Sequence, residues 1–217
     1  MTLSWLVALL GVSTGAVIAG PTANAQACAG SSSPLAPWRV GPFVGIAHDS
    51  PVSSQLGGLP GRDHLFLGIQ ARTQLLRVGF VRMSYAVQFL PAVLIREPSR
   101  SAYGYPTNES PRVAYAVGVS PFGFDLSIPL TRAVAVYGAA AAGGLVFTRP
   151  YPVPDAGRIS FTLEYGGGIS FQVGRERWLE LGYKYHHLSN GYIARRNPGL
   201  NANVFYGGYQ WSVRLPR

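Results

Sequence analysis

From Leu65 to Leu75 the odd positions read Leu65, Leu67, Ile69, Ala71, Thr73 and Leu75, while Gln70, Arg72 and Gln74 hold the even ones. Side chains alternate across a strand with period two, so this spacing predicts a strand with one apolar and one polar face. The pattern recurs at Val81, Met83, Tyr85, Val87, Phe89, Val93 and Ile95, opposite Arg82, Ser84 and Gln88. Val113, Tyr115, Val117 and Val119 continue it until Pro121, where the parity changes and Phe122, Phe124, Leu126 and Ile128 take over. A one-residue change of parity inside an otherwise continuous strand predicts a β-bulge. Ile159 to Val173, Leu179 to Tyr185 and Phe205 to Leu215 repeat the alternation. With Val40–His48 and Ala133–Phe147 the total is eight strands.

The connections add independent information. Asp49–Arg62, Glu97–Pro111, Thr148–Gly157 and Asn190–Pro198 are long, and they alternate with short links at Arg77–Gly79, Pro129–Arg132 and Gly174–Arg177. Outer-membrane barrels have an even strand number, short periplasmic turns and longer extracellular loops. The expected fold is therefore all-β, an eight-stranded antiparallel transmembrane β-barrel over residues 38–217, with both barrel termini periplasmic. A soluble lipocalin-like barrel with the apolar face inside is the alternative. Three features favour the membrane version. The apolar face is rich in Tyr, Phe and Trp, which suits interface girdles. Arg72, Arg82, Arg112, Glu164, Glu180 and Lys184 share the polar face, where they can pair in a narrow lumen. A leader also stands ahead of the barrel: Leu3 to Ala19 is mostly apolar, Gly20-Pro21 breaks it, and Ala23-Asn24-Ala25 offers a small-x-small cleavage site. Residues 1–25 read as a signal peptide for the outer membrane and 26–37 as a short linker.

Composition agrees with this assignment. Only 12% of the 217 residues are charged, against about a quarter in ordinary soluble domains. The formal net charge of +9 is almost wholly arginine, since Lys184 is the only lysine. Such a surplus suits a polyanion or a membrane surface, or reflects a compositional bias of the genome. Cys28 is the only cysteine, which excludes an intramolecular disulfide.

One stretch carries candidate chemistry. The parity of the seventh strand puts His187 and Ser189 on the apolar face, and Asn201 and Asn203 share a face with Phe205, Tyr209 and Trp211. Antiparallel pairing around Asn190–Pro198 brings Asn201 or Asn203 opposite His187 or Ser189. Polar groups on the lipid side near the outer rim suit a lipid substrate. A serine needs a base to become a nucleophile, and the base needs a third group to fix its tautomer. Ser189 is the candidate nucleophile, His187 the base and Asn201 the orienting group, because no acidic residue follows Glu180. Asn190, Gly191 and Asn197 are candidates for holding the oxyanion or positioning substrate. Read as bland structure, His-x-Ser is a common pair and Asn-Pro-Gly an ordinary turn. His186, on the opposite face, reads as a lumen hydrogen-bonding group, and His48 and His64 as loop-flanking residues.

His187-Leu188-Ser189-Asn190 followed by Asn197-Pro198-Gly199-Leu200-Asn201 resembles the signature of the outer-membrane lipid A 3-O-deacylase family (PagL-type, acyloxyacyl hydrolase-like). Ser120-Pro121-Phe122-Gly123 and the Phe161 to Gly168 stretch are also similar to that family. The resemblance implies an eight-stranded barrel with an exterior serine-esterase site, His187 as base, Ser189 as nucleophile and Asn197 at the oxyanion. It implies lipid A of lipopolysaccharide as substrate, among outer-membrane lipids, with no cofactor, no metal and no nucleic acid; monomer and homodimer both remain open. The sequence departs from the family at Asn201, where the characterised type has glutamate. That missing carboxylate motivates the competing expectation of a non-catalytic structural or lipid-binding barrel.

Overall fold

A computed structural model describes residues 37–48, 61–97 and 112–214. The proposed leader, linker and Cys28 lie outside the described residues, as do most of the first two long loops. Eight strands are present: β1 Trp38–Ala47, β2 Asp63–Val78, β3 Val81–Glu97, β4 Arg112–Pro129, β5 Val134–Phe147, β6 Ile159–Gly174, β7 Arg177–Ser189 and β8 Leu200–Val213. Each pairs antiparallel with its neighbour, and β8 pairs with β1 to close the barrel. Closure is what lipid demands, because an open edge would leave N–H and C=O groups with neither water nor partner. Among the described residues no helix is long and apolar enough to cross a membrane, so the strands are the spanning elements.

The faces are sorted as a membrane barrel requires. On β2, Leu67 and Ile69 are exposed while Phe66, Gln70 and Arg72 are buried, and on β7 Leu179, Leu181 and Tyr183 point out while Glu180, Lys184 and His186 point in. This places the apolar face on lipid and removes the soluble-barrel alternative. The chain is an outer-membrane β-barrel.

Two details of register refine the expected strands. The parity change at Pro121 is a bulge, with register shifts between Val119 and Phe122 against β5 and between Ala86 and Gln88 against β3. A bulge strands a carbonyl; here the Tyr85 hydroxyl donates to the Pro121 oxygen at 2.5 Å. A second shift, between Leu90 and Val93, turns Val93 and Ile95 into the lumen, contrary to the uninterrupted parity expected for β3. Pro91 sits inside that shift, where its missing N–H costs no ladder bond. The short hairpin at Gly79-Phe80 has φ +60° at the glycine, which L side chains resist, and Arg77 Nε donates to its carbonyl at 2.9 Å.

The lumen has two halves. Toward the long loops it is packed with apolar side chains, among them Phe66, Val93, Ile95, Phe147, Leu188 and Leu200, and sealed by the buried Tyr151 from the β5–β6 loop. Burial pushes the Tyr151 phenol above the usual phenol range, so it stays neutral there. Below this plug lie ion pairs. Lys184 Nζ and His186 Nδ1 each reach Glu164 at 2.8 Å. Arg72 forks onto Glu180 with both contacts at 2.9 Å and meets Asp125 at 3.3 Å, and Gln210 Nε2 donates to Glu180 at 3.1 Å. The pairing expected of Arg72, Glu164, Glu180 and Lys184, and the lumen role expected of His186, are thus present. Arg112 is instead exposed at the outer end of β4, beyond the lumen. His64 does flank a loop, but it is buried and stacked on Phe66.

Replacing Arg72 by methionine strands two buried carboxylates, and the expected loss is about 3–5 kcal/mol. Arg77→Met, at an exposed turn, is expected to stay within about 0.5 kcal/mol of wild type. Denaturant unfolding in detergent micelles measures both; equal midpoints for the two variants would refute the claim that the Arg72 cluster ties the strands together.

Candidate active site

β7 and β8 carry the site on their outer ends. His187 stands directly opposite Asn201 in the ladder, and Ser189 lies opposite Phe161 of β6. The outward parity of β7 puts His187 and Ser189 on the lipid side, two residues apart and hence about 7 Å along the strand. Leu188, between them, is buried in the plug and anchors this piece of wall. Inward packing of Leu188 and Ala202 therefore aims the polar residues outward.

The His187 ring is held from one side. Its Nδ1 lies 2.7 Å from the Asn201 amide oxygen. That oxygen has no proton to give, so Nδ1–H donates and the Nε2 lone pair faces away from Asn201. Asn201 is wholly buried despite its outward parity, so water does not compete for its oxygen. Asn203, the other candidate, is occupied elsewhere: it pairs with Tyr185 in the ladder and its amide oxygen accepts from the Tyr183 hydroxyl at 2.7 Å. The carboxylates of β6 and β7, Glu164 and Glu180, both point into the lumen.

The loop beyond Ser189 is rigidly built. Gly191 and Tyr192 both have positive φ, at 60° and 63°, and Ile193 N donates to the Asn190 carbonyl at 3.2 Å, the pattern of a type I′ turn. Asn190 is its fastener. The Asn190 amide nitrogen donates at 2.6 Å to both the Ala156 and Arg196 carbonyls, and its amide oxygen accepts from Tyr192 N at 2.9 Å. Asn197 Oδ1 accepts from Asn190 N at 2.8 Å, which leaves the Asn197 NH2 as a donor at the same place. A short 3-10 turn, Pro154–Ala156, brings the β5–β6 loop against this one, with Arg196 N donating to the Asp155 carbonyl at 3.2 Å.

Of the candidate site residues, the structure joins His187 to Asn201 and Asn190 to Asn197, and among the described residues His187 and Ser189 share a strand face without a hydrogen bond between them. His187, Ser189 and Asn201 form the outward strand surface, while Asn190, Gly191 and Asn197 form the turn above it. Asn190 spends its side chain on the loop. The part not foreseen is the β5–β6 loop, whose Ala156 carbonyl receives Asn190; nothing in its spacing announces that contact. The surroundings are apolar: Phe161, Leu163 and Tyr165 are about half exposed beside His187 and Ser189, and Tyr192 and Ile193 are the most exposed side chains of the turn. No cluster of His, Cys, Asp or Glu suited to a metal occurs among the described residues.

A model of the lipid A 3-O-deacylase (PagL) family matches residues 100–210. The fold is similar to that of the outer membrane enzyme PagL, with a TM-score of 0.56 and 13% identity over 78% of this chain and 97% of that one. It is also similar to Neisserial surface protein A, with a TM-score of 0.50 and 14% identity over 81% of this chain and 97% of that one. No curated protein matches the chain. At these identities the structural likenesses speak to the fold.

Asn190→Ala removes three hydrogen bonds from the two-loop unit, each worth about 1 kcal/mol net. Faster tryptic cleavage after Arg195 or Arg196 is the expected outcome, with the folded barrel's electrophoretic mobility retained. Unchanged cleavage would mean that Asn190 does not fasten the loops.

Proposed function

Because this chain belongs to the lipid A 3-O-deacylase (PagL) family, we propose that it is an outer-membrane serine esterase that removes the 3-O-linked acyl chain from lipid A of lipopolysaccharide. The observation that carries the reading is the 2.7 Å contact between His187 Nδ1 and a buried Asn201 oxygen on the lipid-facing wall beside Ser189. It fixes the tautomer that a general base needs, and it does so where a lipid ester can arrive from the membrane.

The steps follow from that arrangement. His187 Nε2 takes the Ser189 hydroxyl proton as Oγ attacks the ester carbonyl carbon. The carbonyl oxygen becomes an oxyanion, for which the Asn197 NH2 and the backbone N–H groups around Gly191 are the donors at hand. Collapse of the intermediate breaks the C–O bond to the sugar, and His187 returns its proton to the departing 3-hydroxyl. Water, activated by the same imidazole, then releases the fatty acid from Ser189. Asn190 serves this chemistry by positioning the turn that carries Gly191 and Asn197. Asn201 orients the ring without neutralising the imidazolium formed in each half-reaction. The exposed Phe161, Leu163 and Tyr165 offer an apolar surface for the acyl chain.

A second reading rests on the same residue. Without a carboxylate at position 201, a lipid-binding barrel that turns nothing over would keep this geometry. Labelling with a serine-reactive lipid phosphonate separates the two: covalent modification of Ser189 belongs to the esterase and its absence to the binder.

Mass spectrometry of lipid A from cells producing the protein is expected to show 3-O-deacylated species with wild type and none with Ser189→Ala. Identical lipid A from both, with both folded in the outer membrane, refutes catalysis. Asn201→Glu is expected to keep or raise turnover, and Asn201→Leu to lower it about 10²-fold or more, in line with losses for misaligned general bases. A folded Asn201→Glu variant with abolished turnover would show that another residue orients His187.

A further inference from the structure

The lumen holds a second feature, at the end opposite the esterase site. Between the Arg72 cluster and the β4–β5 turn is a cavity of about 310 Å³. Its floor is buried: Arg72, Asp125 and Tyr137 line it. Its mouth is formed by Thr131, Arg132 and Ala133, which are exposed on the side of the short turns. The apolar plug fills the other half of the lumen, so among the described residues the cavity's mouth lies on the periplasmic side.

Its charge is unbalanced. Arg39, Arg72, Arg82 and Arg132 line the cavity, together with Asp125. Among the described residues both nearby carboxylates, Asp125 and Glu180, are already taken by Arg72. Arg82 and Arg132 have no ion-pair or hydrogen-bond partner among the described residues. Arg39 lies within electrostatic reach of both Arg72 and Arg82, so like charges crowd one another here. Its guanidinium carbon lies over the Trp178 ring, 3.9 Å from the centroid, a cation–π contact that restrains it. Arg72 Nε is buried with no hydrogen-bond partner. Four guanidiniums against two carboxylates leave a surplus of two positive charges. Guanidinium forks match phosphate oxygens in shape as well as charge. The volume lies at the small end of ligand pockets, room for a compact molecule and not for a diacyl lipid.

We propose that this cavity binds a small soluble phosphate dianion, such as a phosphomonoester, from the periplasm. Arg39, Arg82 and Arg132 supply the new contacts, and Arg72 holds the floor while remaining paired. The proposal is independent of the esterase reading, because no residue is shared with the outer site.

Titration calorimetry of the full chain in detergent micelles tests it, with inorganic phosphate as probe and chloride at matched ionic strength as reference. Wild type is expected to bind phosphate saturably. Arg82→Gln combined with Arg132→Gln is expected to weaken binding at least tenfold. Neither arginine has a partner to lose, so both variants should fold, while Arg77→Gln, at a turn outside the cavity, should match wild type. In the wild type itself, phosphate is expected to shift the Trp178 indole resonance and not those of Tyr192 or Ile193. Absent saturation, undiminished binding by the double variant, or shifts confined to the outer loops would each overturn the proposal. Displacement of phosphate by a short-chain phosphatidic acid would overturn the assignment to a soluble anion.

Discussion

Hydrocarbon offers the backbone no hydrogen-bond partner, and the rest of this molecule follows from that constraint. Each N–H and C=O in the spanning region must be paired with another strand, so the sheet closes from β8 to β1. Closure of a small barrel divides every strand into a lipid face and a lumen face, and the period-two code is the result. It also makes irregularities visible. Where a bulge interrupts the ladder at Pro121, the stranded carbonyl is met by Tyr85 and not by water.

A narrow lumen then has to be filled. This chain fills it in two ways, with an apolar plug beneath the long loops and an ion-pair network below. The plug gives the outer end the packing of a protein core, and that is what lets the wall there carry polar residues outward with fixed aim. Leu188 and Ala202, locked inside, leave His187 and Asn201 no freedom to rotate out of register. Ion pairs at the other end tie β2, β4 and β7 together through Arg72, at the expense of burying charges that only one another can satisfy.

Strand number, strand faces, loop alternation and the bulge at Pro121 were all legible in the sequence, because each is written in side-chain parity, a local and redundant code. Val93 and Ile95 were not, since Pro91 and the adjacent register shift change the parity within a run that stays apolar on both sides. The His187–Asn201 pairing was legible to within one ladder step, because hairpin length fixes register. What could not be read is the fastening of the turn to the β5–β6 loop. Asn190 reaches Ala156 across 34 positions of sequence through a backbone carbonyl, and a carbonyl leaves no trace in residue type. The basic cavity was equally silent, for Arg39, Arg82 and Arg132 line one space only once the barrel closes.

On the proposed esterase reading, Asn201 decides how much chemistry the outer site can do. A carboxylate beside imidazole does two things: it selects the Nδ1–H tautomer, and it stabilises the positive charge when the ring takes a proton. The buried amide oxygen at 2.7 Å retains the first and gives up most of the second. An amide also avoids a cost. At a fully buried position, an unprotonated carboxylate would need further donors or a lasting positive partner, and Lys184 and Arg72 are committed to Glu164, Glu180 and Asp125. Asparagine at 201 therefore trades imidazolium stabilisation for a neutral site that survives burial at the membrane surface. Such a dyad suits an ester, whose alkoxide leaving group departs more readily than an amine and asks less of the base.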